Sequence, residues 1–301
     1  MAKSVHNLRG WVALITGGAG GLGRAIAARL IERGVHCVLA DVNPVALEQA
    51  VHALGPQASA QVVDLTSEAA REGLVRAVQQ QWGRLDLLVN NAGIVGTTHF
   101  EQRSQASIRG EMELNLMAPL LLTHRLLPLL QRAPSGRVVS IVSLGGMFPL
   151  PESTVYSASK FGLRGAMLCL GLDGDRLGVK FSVVNPSATE TPMLMREAIH
   201  GGNKLQFMDP PQTPDEVARQ VLCCLDEPCL ERFVRTSESW TVRLAMLLPN
   251  LLGKALPLFQ RSAERGHQRY LATLVERGLV RQHNGQWELT ADRAASSNAA
   301  R

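Results

Sequence analysis

Three residues of one short run, Ser143, Tyr156 and Lys160, have types and a spacing that suit acid/base chemistry. Ser143 precedes Tyr156 by 13 positions, and Lys160 follows the tyrosine by four. Residues four apart share one face of a helix, so the phenol and the ammonium should project side by side. A nearby ammonium favours the phenolate and lowers the pKa of a tyrosine from about 10 towards neutrality. Such a phenol can act as a general acid or base, and Ser143 could hydrogen-bond the substrate oxygen.

A tyrosine and a lysine four apart also occur on many solvated helices, so the surrounding elements decide what the pair means. The run Trp11 to Thr16 is apolar and β-like, and the sequence GGAGGLG and an amphipathic stretch, Arg24 to Glu32, follow it. Gly17, Gly21 and Gly23 permit a tight turn and a close approach of a ligand to the backbone. This order of strand, turn and helix favours a nucleotide phosphate site at the helix N-terminus over a simple turn.

Two carboxylates end the next two predicted strands. Asp41 lies 18 residues beyond Gly23, a separation that suits hydrogen bonds to an adenosine ribose, although it could also be a solvated turn residue. A carboxylate there repels a 2′-phosphate, and no basic residue directly follows it, so NAD is favoured over NADP; Arg24 could still bind a phosphate. Asp64 could accept a hydrogen bond from the adenine amino group, and Asp64 or Thr66 could cap the helix that follows.

Asparagines mark two further positions. Asn90, Asn91, Ala92 and Gly93 follow a predicted strand, where asparagine and glycine can adopt unusual backbone angles and fix neighbouring loops. Asn115 lies in an apolar helical stretch, where an amide must be hydrogen-bonded or costs about 1–3 kcal/mol. Asn115 is therefore either a structural clamp or part of a polar relay.

The elements alternate along the chain. Strands are predicted at 11–16, 36–40, 60–63, 85–89, 137–142 and 179–185, with a candidate seventh at 232–236. Helices are predicted at 24–32, 44–54, 67–82 and 107–130, and a further helix bears Tyr156 and runs to about 177. Such alternation requires a parallel sheet covered on both faces, with the ligand at the carboxyl ends of the strands. We predict an α/β fold of the Rossmann type, a doubly wound sheet of about seven strands in three α/β/α layers.

These residues, in this order, resemble the short-chain dehydrogenase/reductase family in its main Y-x-x-x-K branch. The resemblance covers about 8–226 and implies hydride transfer between NAD(P) and an alcohol or ketone in a homodimer or homotetramer. It implies that Tyr156 is the general acid/base, that Lys160 lowers its pKa and holds the nicotinamide ribose, that Ser143 orients the substrate and that Asn115 anchors a water relay. The cofactor-binding residues that it implies are Gly17, Gly20, Gly21, Leu22, Gly23, Asp41, Asp64, Leu65, Asn91, Ala92, Gly93, Tyr156, Lys160, Pro186, Thr189 and Thr191.

Two features depart from the family pattern. The usual Pro-Gly after the sixth strand is Pro186-Ser187 here, and Thr189 and Thr191 remain available to the nicotinamide amide. The chain also continues for about 75 residues past Asp226. We therefore predict a catalytic domain at 1–226, with a lid at about 187–213, and a C-terminal extension at 227–301.

The extension contains a nearly apolar run at 242–259, broken by prolines and a glycine. It could pack over the substrate pocket, form a subunit interface, or lie on a membrane surface with its basic residues facing lipid headgroups. The apolar residues of the lid, Met193, Leu194, Met195, Phe207 and Met208, could face the substrate or only pack the lid onto the core. The three placements of the run at 242–259 all agree better with a large hydrophobic alcohol or ketone as the substrate than with a small sugar.

Composition and targeting signals exclude several classes. The net charge is +5, but the basic residues are scattered, which does not favour nucleic-acid binding. The five cysteines form no C-x-x-C pair and indicate free thiols rather than disulfides or a metal site. Neither a transmembrane helix nor a secretory signal is recognisable, so we expect a cytoplasmic protein, with a peripheral membrane location as the alternative.

Two functions compete with the oxidoreductase that uses NAD. They are an NADP-dependent carbonyl reductase and a nucleotide-binding sensor without turnover.

Overall fold

A computed structural model describes residues 8–283 and 286–290 and confirms the doubly wound fold. Within those residues, seven parallel strands form one sheet in the order β3-β2-β1-β4-β5-β6-β7. They are β1 (Val12–Thr16), β2 (His36–Asp41), β3 (Ala58–Val62), β4 (Leu87–Asn90), β5 (Arg137–Ile141), β6 (Lys180–Asn185) and β7 (Glu231–Phe233). The central strands are mostly apolar because helices cover both of their faces.

Helices on the two faces of the sheet bury separate hydrophobic clusters. One cluster includes side chains of α1, α2 and α9, and the other includes side chains of α3, α5 and α6. The helices are α1 (Gly21–Ile31), α2 (Pro44–Leu54), α3 (Glu68–Trp82), α4 (Gln105–Met112), α5 (Ala118–Gln131), α6 (Thr154–Leu172), α7 (Gly174–Leu177), α8 (Pro192–His200), α9 (Pro214–Asp226), α10 (Thr236–Met246) and α11 (Leu252–Glu276). The three predicted layers are therefore present.

The helix predicted over 107–130 is present, but it is not α-helical throughout. A π-helical turn, Glu113–Met117, separates α4 from α5 and contains Asn115. A π-turn inserts an extra residue into the helical spacing and is found frequently at functional sites. Hydrophobic periodicity does not reveal it because apolar residues lie on both sides of the insertion.

The sheet extends past the predicted domain boundary at 226, because β7 pairs with β6. Beyond β7, α10 and α11 are followed by an antiparallel hairpin of β8 (Val280–His283) and β9 (Gln286–Leu289). The later part of α11 and the hairpin pack against the lid in a small cluster that includes Leu194, Phe207 and Leu274. The lid is thus held by the part of the extension that follows the apolar run at 242–259.

The strand order changes direction between β1 and β4. β2 and β3 lie on one side of β1, whereas β4 to β7 lie on the other. In open α/β sheets, ligands bind in the crevice outside the carboxyl ends of the strands at such a switch point. The glycine loop after β1 and Asn91 after β4 border this crevice.

Candidate active site

The glycine loop is built so that the backbone comes very close to itself. Gly17 has a φ of +63°, a region that L side chains rarely adopt. A Cβ on Gly23 would lie 2.3 Å from the Gly17 carbonyl oxygen, and one on Gly18 would lie 2.7 Å from the Cβ of Leu39. The analysis of the sequence did not single out Gly18, whose need for a missing Cβ arises from packing against β2. α1 begins at Gly21 after the cap residue Gly20, which leaves backbone N–H groups available to an anion.

Asn91 and Thr16 fasten this loop to the end of β4. The Asn91 amide donates to the carbonyl oxygens of Thr16 at 2.9 Å and Gly17 at 3.2 Å. The Thr16 hydroxyl oxygen accepts from the backbone N–H groups of Asn91 at 3.0 Å and Ala92 at 3.1 Å. Thr16 was also missed at the sequence level, because a threonine at the end of a strand has no distinctive pattern. Together these hydrogen bonds fix the glycine loop after β1 against the segment after β4.

Asp41 lies at the end of β2 beside the glycine loop. Its carboxylate accepts from the backbone N–H of Ala19 in the loop at 3.1 Å and from that of Asn43 at 3.1 Å. This position suits a contact with the ribose, and it also makes Asp41 a support of the loop.

Asp64 accepts hydrogen bonds from both the backbone N–H and the hydroxyl of Thr66, which hold its pKa below the ordinary value. The suggestion that Asp64 or Thr66 caps α3 is wrong, because the side chain of Ser67 is the cap and accepts from Ala70 N–H. Leu65, next to Asp64, is buried. Asp64 therefore remains available at the strand end.

Ser143, Tyr156 and Lys160 come together as predicted. The Ser143 hydroxyl and the Tyr156 ring both border Gly145, where an added Cβ would lie 3.4 Å from the Ser143 Oγ and 3.1 Å from the Tyr156 Cε1. The Ser143 Oγ accepts from Gly145 N–H at 3.0 Å. The Lys160 Nζ lies 5.8 Å from the centre of the Tyr156 ring and donates to the carbonyl oxygen of Ile141 at 3.1 Å. The end of β5 thus positions the serine, while one face of α6 presents the tyrosine and the lysine.

The pKa of the Tyr156 phenol is not lowered overall, contrary to the expectation from its spacing to Lys160. Desolvation raises the pKa of Tyr156 to about 12, the hydrogen bond with Ser143 opposes the rise, and the negative charges of Glu197 and Glu111 add to it. Burial also lowers the pKa of Lys160 to about 8. The reason is physical: adjacency on a helix is visible in sequence, whereas the loss of solvent around both groups is a property of the folded chain.

Sequence reasoning missed the two glutamates near Tyr156. Glu111 of α4 forms a buried ion pair with Arg103 at 2.6 Å. Glu197 of the lid helix α8 accepts from the Gln206 amide at 3.0 Å, and desolvation raises its pKa to about 7. Both residues read as ordinary helical surface residues in the sequence, and only the fold brings them near the phenol.

Asn115 is a structural clamp. Its Oδ1 accepts from Ile94 N–H at 2.9 Å, and its Nδ2 donates to the Ile94 carbonyl oxygen at 2.8 Å and to the Ser159 hydroxyl at 3.2 Å. The Ser159 hydroxyl in turn donates to the carbonyl oxygen of Tyr156 at 2.7 Å. A Cβ on Gly93 would lie 3.2 Å from Asn115 Oδ1 and 3.6 Å from Lys160 Nζ. The π-turn therefore ties the segment after β4 to the helix that bears the tyrosine.

The loop after β6 is held by a residue of the C-terminal extension. The Pro186 carbonyl oxygen accepts from Leu144 N–H at 2.8 Å, next to Ser143. The Ser187 hydroxyl donates to the Glu238 carboxylate at 3.2 Å, and the buried Gln212 amide donates to the same carboxylate at 2.9 Å. The glycine replaced by Ser187 would offer no such hydroxyl. Gln212 and Glu238 lie far from the motifs in sequence, which is why they were missed.

Thr189 and Thr191 connect this loop to the lid. Thr189 pairs with Gln212 in an isolated bridge, and the Thr191 hydroxyl caps α8 by accepting from Leu194 N–H at 3.4 Å. A Cβ on Gly21 would lie 3.7 Å from the Thr191 methyl group, so the lid begins beside the glycine loop. Of the apolar lid residues, Leu194 and Phe207 pack on α11. For these two, the packing interpretation is the correct one.

Comparison with known proteins places this geometry among reductases. The family model described as short chain dehydrogenase matches residues 11–200. The chain is 32% identical to levodione reductase from Leifsonia aquatica over 217 residues, 70% of this chain and 78% of the relative. It is 30% identical to dehydrogenase/reductase SDR family member 7B from Bos taurus over 231 residues, 72% of this chain and 71% of that protein.

A solved structure shares the fold. The 3-ketoacyl-(acyl-carrier-protein) reductase from Brucella melitensis, complexed with NADH, aligns with a TM-score of 0.67 and 26% identity. The alignment covers 98% of that chain but 75% of this one. About a quarter of the present chain therefore has no counterpart in that reductase.

Proposed function

This chain belongs to the short-chain dehydrogenase family and is an oxidoreductase, and we propose that it transfers a hydride between NAD and the carbon of an apolar secondary alcohol or ketone. The observation that supports this reaction best is the convergence of Tyr156 and Ser143 beside Gly145, with the Lys160 Nζ 5.8 Å from the centre of the tyrosine ring. An acid/base group with an adjacent donor suits a step that moves a proton to or from a substrate oxygen.

The crevice fits a dinucleotide. Glycines leave room where a Cβ would collide, the N-terminus of α1 faces the phosphate position, and Asp41 lies at the end of β2. Asp64, Asn91 and Thr191 border the same crevice. When bound, the nicotinamide supplies or accepts the hydride.

The protein residues handle the proton. The raised pKa of Tyr156 keeps its phenol protonated at neutral pH, the form that can donate a proton to the oxygen of a ketone. Ser143 hydrogen-bonds that oxygen, and the Lys160 ammonium stabilises negative charge that develops on the phenol. Asn115 and Ser159 hold the backbone of Tyr156 in place.

The cofactor preference is tested by titrating the purified protein with NADH and NADPH and following nucleotide fluorescence. We expect tighter binding of NADH, and Asp41→Ala should weaken it by about tenfold or more because a hydrogen bond to a charged group is lost. Asp41→Asn is the matched control, since it retains an acceptor for Ala19 N–H but loses the charge. Asp41→Asn should relax discrimination against NADPH without loss of the loop. Tighter NADPH binding by the unaltered protein would instead support the NADP-dependent carbonyl reductase.

A turnover assay distinguishes an enzyme from a nucleotide-binding sensor. A panel of apolar and small polar ketones with NADH, and of the matching alcohols with NAD, should give turnover for apolar members and none for sugars. A sensor would bind the nucleotide with no turnover of any member. We further propose a cytoplasmic homodimer or homotetramer, which light scattering on the purified chain would test.

A further inference from the structure

The corner where α10 meets α11 exposes an unusual amount of apolar surface. Trp240, Leu244, Leu247, Leu248, Leu251 and Leu258 are each between 50% and 79% exposed. Isolated exposed leucines are ordinary, but a contiguous group within one short stretch marks an interaction surface. These six residues are called the apolar corner below.

The shape of the corner suits insertion into a flat interface. No single helix in the described part of the chain is long and apolar enough to cross a membrane; Thr236–Met246 and Pro249–Glu276 satisfy length and composition only as a pair, and they are bent by 91°. Leu247, Leu248 and Leu251 lie at the bend, so leucines form its apex. A helix pair bent in this way suits a membrane surface, with the apex of the bend directed towards the lipid, rather than a span across the membrane.

The charged residues within the stretch that carries the corner are all basic. From Ser239 to Ala263 the chain contains Arg243, Lys254 and Arg261 and no acidic residue. Arg243 is held by Glu231 at 3.4 Å and lies over the Phe233 ring, whereas Lys254 and Arg261 are exposed and have no acidic partner among the residues that the structure describes. Exposed cations beside exposed leucines complement anionic headgroups above an apolar layer.

Both ends of the apolar corner are held by contacts with the rest of the chain. Glu238 of α10 is hydrogen-bonded to Ser187 and Gln212, and the later part of α11 packs on the lid. α11 also lines one side of a cleft of about 540 Å³ whose other side includes lid residues 202–205. A surface on which the corner rests would thus lie beside the lid.

We propose that the apolar corner docks on the surface of a phospholipid bilayer that contains anionic headgroups. The leucines of the bend enter the acyl boundary, and Lys254 and Arg261 contact the headgroups. This inference does not depend on the nature of the cofactor or the substrate.

The test is flotation of the full chain with vesicles of phosphatidylcholine alone or of equal parts phosphatidylcholine and phosphatidylglycerol. The protein should float with the anionic vesicles, less with the neutral ones, and less as salt is added. The double variant Leu247→Asp/Leu251→Asp should bind about a hundredfold more weakly, because two leucines no longer enter the apolar layer. Lys254→Ala/Arg261→Ala should bind about twentyfold more weakly.

Leu172→Asp is the matched control, because Leu172 is 75% exposed on α6 but lies outside the corner. Its flotation should equal that of the unaltered protein, and circular dichroism melting should show that all variants are folded. Failure of the unaltered protein to float, or equal flotation of the Leu247→Asp/Leu251→Asp variant, overturns the proposal. Dissociation of an oligomer by that variant, without vesicle binding by the parent, would show a subunit interface instead.

Discussion

Replacing Lys160 with methionine should make the folded protein more stable while it removes activity. The Lys160 side chain is buried, and its pKa falls from 10.5 to about 8 because burial penalises the ammonium. That fall corresponds to about 3 kcal/mol of unfolding free energy lost at neutral pH. A methionine has a similar length and no charge, so the cost disappears.

Part of this gain is offset. Lys160 Nζ donates to the Ile141 carbonyl oxygen at 3.1 Å, and a buried acceptor that loses its donor costs about 1–3 kcal/mol. We therefore expect Lys160→Met to raise the unfolding free energy by about 1 kcal/mol at neutral pH. The absolute change is small, so its pH dependence is the better measurement.

The sign of that dependence follows from proton binding. Between the folded pKa of about 8 and the unfolded value of 10.5, the unfolded chain binds more protons at Lys160 than the folded chain does. The stability of the unaltered protein therefore rises with pH relative to that of the variant. The difference between the two proteins should shift by about 2 kcal/mol from about pH 7 to about pH 10.

Urea-induced unfolding of both proteins at the two pH values gives this difference, in which the other titrating groups, such as Tyr156, cancel to first order. Lys180→Met is the control, because Lys180 is exposed at the start of β6 and should give no such shift. If Lys160→Met lowers stability by the same amount at both pH values, Lys160 is not a buried cation and the electrostatic reasoning fails.

Three further changes test other parts of the site. Tyr156→Phe should lower turnover at least about a hundredfold while NADH affinity stays within a few-fold in fluorescence titration, because only the transferable proton is lost; unchanged turnover would exclude Tyr156 as the acid. Glu238→Ala should lower the unfolding free energy by about 2 kcal/mol in urea, and Glu238→Gln by less, because glutamine keeps an acceptor for one of the two donors. Equal losses would show that the hydrogen bonds are not the cause. Gly23→Ala should abolish NADH binding, since its Cβ would lie 2.3 Å from the Gly17 carbonyl oxygen, whereas Gly73→Ala on α3, with open space around it, should bind normally and melt slightly higher. Normal binding by Gly23→Ala would show that the loop tolerates a side chain.

The strands could be predicted from the sequence because parallel strands buried on both faces produce short apolar runs. Val12–Thr16 and Lys180–Asn185 match the predicted 11–16 and 179–185 closely for this reason. The residues at their carboxyl ends could be predicted with them, since every such end points to the same edge of the sheet. Ser143, Tyr156 and Lys160 meet as expected because two of them share a helix face.

Other features escaped prediction because they depend on contacts between distant segments. The π-turn contains Asn115, whose amide is hydrogen-bonded to Ile94 and Ser159 in other segments. The ion pair of Arg103 with Glu111 and the hydrogen bonds of Glu238 join elements that periodicity treats separately.

The sequence by itself determined the fold class and the family and indicated the candidate acid/base residues, because local hydrophobic periodicity and motif order are written along the chain. Only the tertiary structure decided the protonation of those groups, because the pKa of Tyr156 depends on how much solvent the fold removes. It also decided the roles of the two parts of the C-terminal extension. α11 packs against the lid through Tyr270, Leu271 and Leu274, whereas the apolar corner, which flanks a 91° bend between two helices, stays exposed.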